Sequence, residues 1–339
     1  MSLSANQQAE RCRVQCREVL GQLSPSAGWI PEISAVPAND DFAAIGELFA
    51  EERPQFSFEV CCEDACLATA AFSSAGDPGG QTSAVRSFPA LLLRTPPTVF
   101  SDLPLIEELA AAVPQLTVAV DHFLHVELLS RAAQAAGKTI GVLVTVDTGG
   151  RLMGVHPGPD CEALSRAVAK QRGLFLRGIF VNVEEGARVA SERGLACVRT
   201  FELARACVGS LGLRGLKATD VVLGITSEDL LPATYLMDRC MVVWSLFPGV
   251  ARGSAAGDGV VSGADMVSVR VISRPALEYC VIAAGSRSGL MSSETAVVWP
   301  AGAVISGWNA HHARVQLAGE SLDLRIGSEV TLKNFHKHT

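Results

Sequence analysis

The sequence predicts an α/β protein: a (β/α)8 TIM-type barrel over residues 27–248, followed by a small C-terminal β domain over 256–339. Three observations carry that expectation. Eight short apolar runs recur through the first three-quarters of the chain, and amphipathic helical stretches separate several of them. Near residue 250 the pattern changes: a stretch rich in Gly, Ala and Ser precedes short strands with no helices between them. Strands that are apolar throughout, rather than alternating, belong to parallel sheets covered on both faces. Eight of them favour closure into a barrel over an open, doubly wound sheet.

In chain order, residues 1–26 are expected to form a helical extension packed on one of the two domains. The eight runs are WIPEISAV (29–36), FSFEV (56–60), ALLL (90–93), LTVAV (116–120), TIGVLVTV (139–146), LRGIFVNV (176–183), DVVLG (220–224) and CMVVW (240–244). Between the fourth and fifth, Leu124, Leu128, Ala132 and Ala136 recur every four residues and Gly137 offers a C-cap, which predicts a helix over 123–137. The stretch 161–173 also ends on a glycine. Residues 249–265 read as a linker. The β domain is expected from strands in 266–275, 278–285, 296–302, 313–319 and 324–332.

Composition narrows the function classes. With 48% apolar and 19% charged residues, the chain can bury a sizeable core and is not disordered. A net charge of −7 with no basic patch argues against nucleic acid. No apolar run approaches the roughly 20 residues of a membrane-spanning helix, and the polar N-terminus lacks a signal core, so a cytoplasmic protein with no membrane partner is expected. The ten cysteines include no CxxC pair. Their densest cluster, VCCEDAC (60–66), lacks further zinc ligands nearby, so buried, reduced thiols are expected.

The motifs around the barrel's middle carry a resemblance. Asp121 ends the fourth run. Asp147–Gly149 ends the fifth, followed by Arg151 and Gly154-Val155-His156-Pro157-Gly158. Further on come VISRPALEYCVIAAGSRS (271–288) and IGSEVTLKNFHKHT (326–339). In this order they resemble the D-threonine aldolase and D-serine dehydratase branch of the fold-type III pyridoxal-phosphate (PLP) enzymes, built on the alanine racemase barrel. The resemblance implies PLP, a divalent metal such as Zn or Mn, and lyase activity on D-3-hydroxy amino acids. It places Arg151 near the cofactor ring. It puts the phosphate-binding turn at LGITSED (223–229), where Gly224, Thr226 and Ser227 can offer amides and hydroxyls to an anion. A strand end with an N-cap is the alternative for that turn. His336 and His338 fall on the family's metal-ligand positions. Two residues apart on a strand, both imidazoles point to one side, although such a pair on a chain end also reads as solvated. His122 and His125 flank the fourth strand's mouth, and His311 and His312 read as part of a hairpin turn.

One departure dominates. The family's Schiff-base lysine ends the first barrel strand, and WIPEISAVPAND (29–40) contains none. The first lysine in the chain is Lys138, followed by Lys170, Lys217, Lys333 and Lys337, none of them at a strand's C-terminal mouth by this reading. Three readings therefore stay open. The first is a pseudoenzyme without Schiff-base chemistry that binds a small ligand (an amino acid or a phosphate-bearing molecule) or a partner subunit, a homodimer included. The second is an active lyase using one of the five lysines. The third is a metal-dependent enzyme of another class using the His pair with Asp121 or Asp147.

Overall fold

The structure, a computed structural model, describes residues 5–33, 39–74, 90–183, 190–225, 228–245, 266–286, 291 and 295–333. Strands β1 (Gly28–Ile33), β2 (Val60–Cys62), β3 (Ala90–Leu93), β4 (Gln115–Val120), β5 (Ile140–Thr145), β6 (Leu174–Asn182), β7 (Asp220–Gly224) and β8 (Met241–Ser245) pair in chain order. All the pairings are parallel, and β8 closes on β1 to complete the barrel. Helix α1 (Ala5–Gln22) precedes β1. Helices α2 (Asn39–Glu52), α3 (Ala65–Ser74), α4 (Leu103–Ala112), α5 (Phe123–Ala136), α6 (Pro159–Lys170) and α7 (Ala190–Leu213) follow β1 to β6 in turn. A 3-10 stretch, Glu228–Leu236, follows β7. No helix among the described residues is long and apolar enough to cross a membrane.

All eight expected strands are present. The second is displaced: β2 begins at Val60, where it registers with β1 and β3, and residues 56–59 lead into it. Helix α5 is capped by Gly137 at φ 63°, as its periodicity predicts. Helix α6 ends earlier than its glycine suggests, because Gln171 is already extended. Helix α1 packs on α2, with Arg13 paired to Glu47 at 2.9 Å. Arg53 donates to the carbonyls of Leu20 and Leu23, satisfying the end of α1.

Side chains fill the barrel in layers, because alternate residues of each strand point inward. The middle layer takes one residue from each strand: Ile30, Cys61, Leu92, Ala119, Leu143, Phe180, Val222 and Val243. Polar layers flank it on both sides. At the floor, the N-terminal end, Arg177 donates to Glu59, Asp220 and Thr117 at 2.7–3.0 Å. Gly141 makes the room, since a Cβ there would sit 2.9 Å from Arg177 and from Thr117. Burial pushes the Glu59 carboxyl above its usual range despite Arg177. A cleft of about 590 Å³ opens on this floor beside Arg177, Arg205 and Arg239.

The β domain is one antiparallel six-stranded sheet in the order β11-β14-β9-β10-β13-β12. Its strands are β9 (Met266–Ser273), β10 (Tyr279–Ile282), β11 (Ala296–Trp299), β12 (Val304–Trp308), β13 (Ala313–Gln316) and β14 (Glu329–Lys333). Strand β12 is absent from the sequence expectation. It is an edge strand, with Val304 and Trp308 exposed and a glycine inside it, so it presents no apolar run.

Candidate functional site at the barrel mouth

Two residues past the middle layer, the same strand parity brings Glu32, Arg94, Asp121 and Asn182 to the barrel's C-terminal mouth. Arg94 is the hub. Its guanidinium donates to Glu32 Oε1 at 2.9 Å and to Asn182 Oδ1 at 2.8 Å, and it lies 5.6 Å from the Phe180 ring centroid below. Its backbone amide is held by the Cys62 carbonyl. The β domain closes the cluster from above. His311 Nε2 is 2.9 Å from Arg94 Nη1, and its Nδ1 is 3.6 Å from Glu63. Because an arginine can only donate, Nε2 accepts and the His311 proton sits on Nδ1, toward Glu63. The Arg94 and Glu32 side chains are only 3% and 2% exposed, so their pairing acts in a low-dielectric interior. Burial, reinforced by Arg94, holds His311 below the usual histidine range against the pull of Glu32 and Glu63.

A second cluster adjoins it. Asp121 Oδ2 accepts from the Gly154 amide at 3.0 Å and from the Ser273 hydroxyl of β9, while Oδ1 lies 3.3 Å from His125 Nδ1. Burial alone would raise this carboxyl, but His125, Ser273 and the Gly154 amide outweigh it and hold it below the usual range. His312 is fully buried, and neither ring nitrogen has a hydrogen-bond partner among the described residues. Desolvation, with His311 and Arg94 nearby, pushes it down to about 3, so it is neutral. His122 caps α5, its Nδ1 accepting from the Leu124 amide at 3.1 Å.

Of the cofactor- and metal-binding residues selected from the sequence, Arg151 and Gly224 are described. Arg151 is exposed, at φ 55°, and its amide donates to Asp147 Oδ1. Asp147 also accepts from Gly149, so it organises its own loop. Gly154 is required there, because at φ 132° its Cβ would sit 2.4 Å from the Asp147 nitrogen. The Asp-x-Gly and Gly-Val-x-Pro-Gly motif thus ties the ends of β4 and β5 together. Gly224 is buried: a Cβ on it would meet Asn182 at 2.7 Å and Arg94 at 3.4 Å. The Ile225 amide is already bonded to Val243. Thr226, Ser227, His336 and His338 lie outside the described residues. Among those described, no three His, Cys, Asp or Glu side chains converge as a metal site. In 60–66, Cys61 and Cys62 are buried, but Cys66 is exposed on α3, contrary to expectation.

Among the described residues, no side chain at the mouth can hold PLP as a Schiff base. The described part of the first strand, Gly28–Ile33, holds no lysine, and its inward Glu32 is a carboxylate, which cannot form an imine. Lys138, Lys170 and Lys217 are exposed away from the mouth, and Lys333 is in β14 of the β domain. Lys337 lies outside the described residues. Arg94 and the buried role of His311 and His312 escaped the sequence reading. The available signal was an arginine directly after ALLL, two positions beyond an inward Leu92.

Residues 85–218 match the alanine racemase N-terminal domain in sequence. Comparison with curated protein sequences gives no match. Among solved structures, D-threonine aldolase from Filomicrobium marinum is similar at TM-score 0.54 and 21% identity, over 97% of this chain and 85% of that one. D-threo-3-hydroxyaspartate dehydratase from Delftia sp. HT23 is similar at 0.55 and 15%, over 96% and 87%. Alanine racemase of Clostridium difficile 630 in complex with cycloserine gives 0.51 and 13%, over 95% and 83%. Barrel and following sheet together share the fold of these three structures, and the alanine racemase N-terminal domain match lies at the centre of the chain.

Proposed function

We propose that the protein is a degenerate fold-type III barrel without Schiff-base catalysis, retained to bind a small ligand or a partner subunit. One observation supports the reading: no described lysine reaches the mouth, where Glu32 of β1 is buried and paired to Arg94 at 2.9 Å. Two features of the family remain in the proposal. A small anion at Gly224, Thr226 and Ser227 would have to displace Asn182 or recruit Arg94. A divalent metal at His336 and His338 needs at least a third protein ligand from elsewhere, with water able to take the fourth tetrahedral position.

The aldolase and dehydratase similarities supply the test. The chain, supplied with PLP and Mn²⁺ or Zn²⁺, is expected to turn over neither D-threonine nor D-threo-3-hydroxyaspartate above the free-PLP background. Metal- and PLP-dependent release of glycine or of oxaloacetate would overturn the reading in favour of an active lyase.

A further inference from the structure

The end of the barrel opposite the mouth carries the floor cleft of about 590 Å³, a volume in the range of small-molecule sites. Its base is the floor layer. Arg177 crosses the barrel there and donates to Glu59 at 2.8 Å, to Asp220 of β7 at 3.0 Å and to Thr117 of β4 at 2.7 Å. Both carboxylates of the base are thus committed to one guanidinium. Part of the wall is apolar. Phe56 and Met241 pack over Gly28, where a Cβ would meet them at 2.9 and 2.5 Å, and α7 contributes Phe201 and Val208. Two further arginines line the cleft, Arg205 of α7 and Arg239 just before β8. Both residues are exposed, and neither side chain has an ion-pair or hydrogen-bond partner among the described residues. Arg239 sits at φ 57°, a left-handed conformation that glycine takes more readily, so an arginine is held at that point of the cleft at a conformational cost. Asp238 is the remaining charged residue of the lining. Two uncommitted guanidiniums against one carboxylate leave a local positive excess, in a chain whose net charge is −7.

A guanidinium presents a planar fork of donors that matches a carboxylate or a phosphate. Aromatic and aliphatic side chains beside it suit a flat apolar body. We propose that the floor cleft is a binding site for a small aromatic anion, its carboxylate or phosphate held by Arg205 and Arg239 and its ring set against Phe56, Phe201 and Val208. Arg177 is not available to the ligand, because Glu59 and Asp220 already hold it. It shapes the base of the cleft instead. Glu32 and Arg94 lie at the other end of the barrel, so the site stands or falls independently of the reading given for the mouth.

The test is an NMR titration of the full chain with its methionine methyl groups labelled with carbon-13. Met241 lines the floor cleft, whereas Met153 packs with Ile272 and Val281 where the β domain meets the barrel. Met241→Leu and Met153→Leu assign the two signals. Phenyl phosphate and benzoate, each raised to about 10 mM, are expected to shift the Met241 methyl saturably and to leave Met153 in place. Binding of either supports the site, and the tighter of the two identifies the anionic group. Phenol, which has the ring without the charge, should bind at least about tenfold more weakly than the tighter anion. Arg205→Gln and Arg239→Gln should each weaken that anion by a similar factor, and both residues are exposed, so neither change disturbs the core. If neither anion moves Met241, the proposal is overturned. Undiminished binding to the double Arg205→Gln, Arg239→Gln variant, or phenol binding as tightly as the anions, would also overturn it. So would a shift of Met153 without one of Met241, which would put the ligand at the mouth.

Discussion

At the scale of single residues, the buried ion pair at the mouth is the most consequential feature. Removing one partner of such a pair leaves the other charge buried and uncompensated. Glu32→Ala should therefore destabilise the fold by about 3–5 kcal/mol, read as a lower midpoint in urea unfolding. Replacing Glu32 and Arg94 together by apolar residues of similar volume should cost far less, because no charge is stranded. The buried histidines set a pH dependence. His312 is held at about 3 in the fold, against about 6.5 in an unfolded chain. Between those values the unfolded state binds the proton and the native state does not, so stability falls as pH drops from about 6.5 toward 3. His312→Leu should flatten that part of the stability–pH curve, checked by urea midpoints at several pH values. Asp121, held below its normal range, adds a loss that begins only as pH falls through the carboxylate range. These residues were hard to read in advance. A lone arginine after an apolar strand and a His-His pair in a turn have ordinary surface explanations, and only the packing of one domain on the other reveals their burial.

At the scale of elements, sequence pattern was a good guide where burial was two-sided and continuous. The eight parallel strands are apolar because both faces are covered, and that made them visible. Strand β2 was misplaced because Phe56 and Phe58 imitate a strand while Glu59 is committed to Arg177 on the barrel floor. Strand β12 was missed because an edge strand need not be apolar. Strands β6 and β7 approach closely where a Cβ on Gly178 would lie 1.9 Å from the Asp220 carbonyl oxygen. Backbone cannot yield there as a side-chain tip can. Gly178→Ala should force the two strands apart and cost about 3 kcal/mol or more, measured by thermal or urea unfolding. Gly285 holds an equivalent place in the β domain. Its Cβ would press on the Ala310–His311 backbone at 2.4–2.5 Å, so Gly285→Ala should displace the turn that carries His311 into the mouth.

For the whole molecule, the two domains meet through buried polar groups as well as shape. Ser273 reaches Asp121, His311 reaches Arg94, and Arg270 pairs with Asp102 at 2.8 Å. The last of these is partly exposed and worth at most about 1 kcal/mol, so the coupling resides in the mouth. Architecture was legible in the sequence as a rhythm of strands and helices and as the change of pattern near residue 250. The absence of a lysine from the first strand was legible in the sequence; the Arg94 cluster was not, because it is assembled from side chains of β1, β3, β6 and the β12–β13 turn at once. We infer that this mouth is an ion-pair cluster rather than a cofactor pocket. The most direct test is to mix the protein with equimolar PLP, reduce with borohydride, and map all five lysines by mass spectrometry. The account predicts no aldimine absorption band, and pyridoxyl labelling no greater than that of the same chain unfolded in urea. A stoichiometric adduct on one lysine of the folded protein, with the absorption band to match, would contradict it.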